Sequence, residues 1–148
     1  MKWSGFIFFT IITFIYIWNG KDILSKKEWL SFLMKFLTVL VGAFILVILL
    51  VGVSKYLHLI DRESARALSV IIPASVMTML VSKLLVIILF TLFRFIMRFH
   101  HRYNSAQNYS KLSSIGDSYG AKLRVIAKSI ASFGCVLMFY GIWFGSTV

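Results

Sequence analysis

No charged side chain occurs between Lys35 and Lys55. As a helix, the intervening run from Phe36 to Ser54 is about 28 Å long, close to the ~30 Å hydrocarbon core of a bilayer. Lys35 and Lys55 can extend their ammonium groups to opposite headgroup layers. A helix is the conformation such a run must take in lipid, where every backbone polar group needs a partner within the chain. The rest of the chain agrees: with 59% hydrophobic residues and a mean hydropathy of +0.88, too little polar surface remains to enclose a soluble core.

The expected architecture is an all-α, multi-pass transmembrane helical bundle with four spans, forming a single membrane domain over residues 1–148. The spans are expected at about 3–19, 33–54, 67–97 and 127–146, with a basic cytosolic loop at about 98–126 and helix extensions into it. Residues Trp3 to Trp18 carry no charge and end in interfacial aromatics. Trp18-Asn19-Gly20 lacks the small-x-small pattern of a signal-peptidase site, so this segment is read as a span. Ser25 and Glu28 have capping-box spacing and predict a helix start. Asp61 or Ser64 is suited to cap the third helix, with Glu63 in its first turn. That helix exceeds the bilayer thickness and is expected to project into the cytosol. Residues Tyr103 to Asp117, rich in Ser, Asn and Gly, predict a loop, with Asp117 or Ser118 capping the last helix.

Charge sets the orientation. The net charge is +11, and in a four-span arrangement most Lys and Arg residues fall on one side. By the positive-inside rule that side is cytosolic. Both termini then lie outside, in a bacterial inner membrane. Most of this charge serves topology and anionic headgroups. The loop between spans three and four is nonetheless longer than topology needs. With its flanking helix ends, which carry Arg94, Arg98, Arg102, Lys111, Lys122, Arg124 and Lys128, it is a candidate docking surface for lipid or an acidic cytosolic partner. Without a folded soluble domain, nucleic acid is not an expected ligand.

In the last helix Ala127, Ala131, Gly134, Met138, Gly141 and Gly145 recur at alternating four- and three-residue spacing. Small residues on one face allow close helix approach. The contact is expected either with another span of the same chain or between copies in a homo-oligomer.

Lys83 is the costly residue, expected near mid-span, where a charge costs ~2.5–3.5 kcal/mol on insertion scales. All five acidic residues, Asp22, Glu28, Asp61, Glu63 and Asp117, lie in loops or at helix ends. No partner for Lys83 is therefore evident. Lys83 either snorkels and meets hydroxyls or carbonyls within the bundle, lines an anion-favouring pore, or pairs with an acid on another protein.

Chemistry is sparse. His58 is separated from His100 and His101 by the expected bilayer, Cys135 is the single cysteine, and no phosphate loop, nucleophile elbow or HExxH pattern occurs. Neither enzyme activity nor a cofactor or metal site is expected. The first expectation for function is the membrane component of a conflict system: anti-phage defence, bacteriocin immunity or entry exclusion. The alternatives are a holin-like oligomeric pore or channel and an accessory anchor for a larger membrane complex.

Overall fold

The computed structural model describes residues 2–145, with all their side chains except those of residues 106, 107, 111, 112, 115, 117 and 118. Residue 146, the expected end of the last span, lies outside this range, as do the side chains of Lys111, Asp117 and Ser118. The elements are α1 (Lys2–Trp18), α2 (Lys26–Gly52), a π-helical turn (Val53–Leu57), α3 (Arg62–Tyr103) and α4 (Ala106–Phe144). Three segments are long and apolar enough to cross a membrane, Lys26–Leu57, Arg62–Tyr103 and Tyr119–Phe144, whereas α1 is a shorter apolar helix of 17 residues.

The helix starts follow local chemistry. Ser25 Oγ accepts from Glu28 N at 3.4 Å while Glu28 Oε2 accepts from Ser25 N at 2.7 Å, completing the expected capping box at the start of α2. Lys21 Nζ donates to the other Glu28 oxygen at 2.6 Å. At α3, Asp61 is the cap, its Oδ2 accepting from Ser64 N at 2.8 Å. The α1 terminus depends on Gly20, whose φ of +82° is left-handed backbone that glycine adopts without penalty just past a helix end.

The expected loop at 98–126 is corrected. Only Asn104 and Ser105, both extended, separate α3 from α4. Residues 106–126 are helical, so Asp117 and Ser118 lie inside α4 rather than capping it. The cause is packing against α3. Tyr109, Ser113, Gly116, Gly120 and Leu123 are half-buried at alternating four- and three-residue spacing, and the stripe leads directly into Ala127. At Gly116 a Cβ would lie 3.1 Å from Met97 Cε. Small polar residues thus form a helical contact face where their composition suggested a loop.

The core lies among α1, α3 and α4. One cluster joins Ile17, Val86, Phe90 and Ala127. Another joins Ile71, Cys135, Phe139 and Trp143, with Phe6 and Phe9 of α1 packed against it. Among the other α-helices the α2 backbone approaches α3, and Phe32 is its sole buried side chain among the described residues. Lys35 reaches across to α1, donating from Nζ to Tyr16 Oη at 3.3 Å.

Candidate functional site

The chain reverses after Gly20, and this turn directs Asp22 back toward α3 and α4. Its Oδ1 lies 3.0 Å from Lys83 Nζ and its Oδ2 lies 2.9 Å from Lys128 Nζ. The three side chains are 9%, 5% and 6% exposed. Arg124, one turn before Lys128, adds an ion pair from Nε to Oδ2 at 3.7 Å and remains 57% exposed.

The end of α1 supplies the remaining acceptors. Lys83 Nζ donates to the carbonyls of Ile17 and Asn19, both at 3.2 Å, and Lys128 Nζ donates to the Trp18 carbonyl at 3.1 Å. These carbonyls are the free ones at a helix C-terminus, where partial negative charge attracts cations. Trp18 Nε1 donates to Ser132 Oγ at 3.2 Å and fixes α1 to α4 one turn beyond Lys128. A single carboxylate and one helix end thereby hold α1, α3 and α4 in register.

Lys83, midway along α3 and level with the C-terminal end of α1, meets backbone carbonyls within the bundle, as one of the expectations had it. The correction is its acid, which lies in the same chain: Asp22 from the loop that follows α1. Burial acts to raise the Asp22 pKa, but hydrogen bonds from Lys128 and Lys83, with their charges, outweigh it and hold the carboxyl below its ordinary 3.8. At an effective dielectric near 20 two unit charges 4 Å apart attract by about 4 kcal/mol, and removing each ion from water costs several kcal/mol. The cluster therefore specifies how the helices meet more than it adds stability.

The other expected sites divide. Ala127 is buried in the core and Ala131 packs beside it. Gly134 and Gly141 have nothing within 4 Å of a built Cβ. Gly141 lines an open groove of about 450 Å³ between α3 and α4 with Val70, Ala74, Thr78 and Met138. Gly145 ends α4, its N–H donating to Gly141 O at 2.9 Å. The small-residue face is thus used within the chain around Ala127 and Ala131 and left open around Gly141.

Arg94, Arg98, Arg102 and Lys122 are exposed on the part of the α3–α4 hairpin beyond the cluster. Arg94 and Arg98 border a slot of about 160 Å³ with Ile23, Leu24 and Phe95. His100 Nδ1 is 3.0 Å from Asn104 Nδ2, and the His101 ring meets Tyr109 edge-on at 4.6 Å. Among the described residues no group of His, Cys, Asp and Glu is arranged to hold a metal ion.

Sequence reasoning missed a second inter-helix contact, at the far end of the bundle. Trp143 Nε1 donates to Ser75 Oγ at 3.1 Å, and Ser75 Oγ donates to Ile71 O at 2.8 Å. The Trp143 ring occupies the space a Cβ would take at Gly5. The signal was a lone glycine in an aromatic helix, which implies close approach without naming the partner. Comparison of the chain with family models, with curated proteins and with solved structures finds no match.

Proposed function

We propose that this chain is a non-enzymatic, four-span inner-membrane protein that docks an acidic cytosolic partner on its α3–α4 hairpin. The observation that carries the docking role is the hairpin beyond the Asp22 cluster. From Lys83 to Tyr103 α3 continues for about 30 Å, with Arg94, Arg98 and Arg102 exposed beside the exposed apolar residues Leu92, Phe95, Ile96 and Phe99. Cationic and apolar groups on one helix suit an acidic, amphipathic partner segment.

The four-span placement is supported by equal charge-free lengths. Residues 3–20, 36–54, 67–82 and 129–145 contain no charge and are each about 24–28 Å long as helices. Lys83, Lys128 and Lys35 all contact the last turn of α1 or the residue beyond it, so the inner ends of these stretches share one level. At the other end Lys2, Asp61, Glu63 and Gly145 surround one groove. In a bilayer bounded by these two levels the cluster lies at the inner headgroup layer and the basic hairpin in the cytosol.

The biological setting that suits such a part is a conflict system, in which a compact bundle meets an event in the membrane and the hairpin passes it to a cytosolic protein. A pore lined by Lys83 has less support, because Lys83 is buried against Asp22 within one copy. Replacing Arg94, Arg98 and Arg102 together by Gln tests the docking role. The variant should still insert but lose its co-purifying cytosolic partner. Undiminished co-purification overturns the role.

A further inference from the structure

The Asp22 cluster has more positive charge than its single carboxylate can balance. Lys83 Nζ has three acceptors for its three N–H groups. Lys128 Nζ has two among the described residues, Trp18 O and Asp22 Oδ2, which leaves one N–H. Arg124 approaches Asp22 through Nε at 3.7 Å, beyond hydrogen-bond range, so the forked end of its guanidinium is uncommitted to Asp22. That guanidinium carbon lies 5.8 Å from the centre of the Phe90 ring. Trp18, 45% exposed at the same level, is the residue type that settles in headgroup layers.

We propose that Arg124, with the remaining N–H of Lys128, binds the phosphate of an anionic phospholipid at the cytosolic headgroup layer. The Arg124 fork matches two phosphate oxygens, and the lipid adds a second negative charge to the one that Asp22 sets against three cations. The site is distinct from the Arg94–Arg102 face and does not require the docking partner. It does require the four-span placement, because that puts Arg124 at headgroup depth.

The test uses the full chain in detergent, with native mass spectrometry reading lipid retained after addition of phosphatidylglycerol or phosphatidylcholine. The wild type should retain phosphatidylglycerol preferentially. Arg124→Gln, an exposed position where the fold should survive, should weaken that retention about tenfold. Arg102→Gln, equal in charge change but at the hairpin tip, should leave it unaltered. Equal retention of both lipids overturns the proposal, as does equal weakening by the two variants. Inorganic phosphate distinguishes the source of the phosphate: full displacement of the lipid by millimolar phosphate overturns the lipid assignment in favour of a soluble anion. The docking proposal stands or falls separately on partner co-purification.

Discussion

Asp22 is one carboxylate shared by two buried lysines, and this sharing makes an asymmetric prediction. Asp22→Asn leaves both largely buried ammonium groups without a counter-charge, so it should destabilise the bundle by about 3 kcal/mol. Lys83→Met leaves Asp22 paired with Lys128 and should cost clearly less. Thermal unfolding of the two variants in one detergent measures the order, and an equal or reversed order would show that the carboxylate is not the shared element. The pH dependence follows from the same contact. The folded pKa of Asp22 is depressed below its ordinary 3.8, so its contribution is present above that value and is lost as pH falls through the folded one. The melting midpoint should therefore be insensitive to this group above about pH 5 and decline below about pH 4. Asp22→Asn should remove that acid-side decline. The sequence made the expense of Lys83 legible but not its partner. Asp22 lies 61 residues away, and the turn at Gly20 that joins them depends on where α1 ends.

At the scale of elements, the small-residue stripe on α4 behaves as two surfaces. Ala127 is in the core against Ile17, Val86 and Phe90, whereas Gly141 is exposed with open space at its Cβ. Ala127→Leu should overpack the bundle and cost about 1–3 kcal/mol. Gly141→Leu should leave the melting midpoint of the monomer nearly unchanged. If copies associate through the open half, it should also shift the oligomer population measured by light scattering. Gly5 behaves in the opposite way to Gly141. A Cβ there meets the Trp143 ring, so Gly5→Ala should displace Trp143 from Ser75 and lower the midpoint, and Trp143→Ala should recover part of the loss. Helix caps at Ser25 and Asp61 were readable because they depend on residues three apart. The helix over 106–126 was harder to read because its contact face is built from Ser and Gly, residues whose composition signals a turn unless their spacing is followed into Ala127.

For the whole molecule, the level of the ionic cluster and the length of α1 bear on the same question. The helix α1 has 17 residues, about 25 Å, and it is bound at both ends: to Trp143 at Gly5 and to Lys83 and Lys128 at its terminal carbonyls. In the proposed four-span placement this helix shares the depth of the two longer ones. The bilayer would thin to about its length, a modest accommodation for a short span. The positive side of the chain then lies opposite Ser4. In a Cys135→Ser background, Ser4→Cys should react with a membrane-impermeant maleimide added to intact cells, while Asn108→Cys at the hairpin tip should react only after the membrane is opened. Labelling of both positions from the same side would reduce the chain to three crossings and remove the headgroup depth assigned to Arg124. Labelling from opposite sides would leave the basic hairpin on the face away from the N-terminus, where its exposed arginines are available to a cytosolic protein.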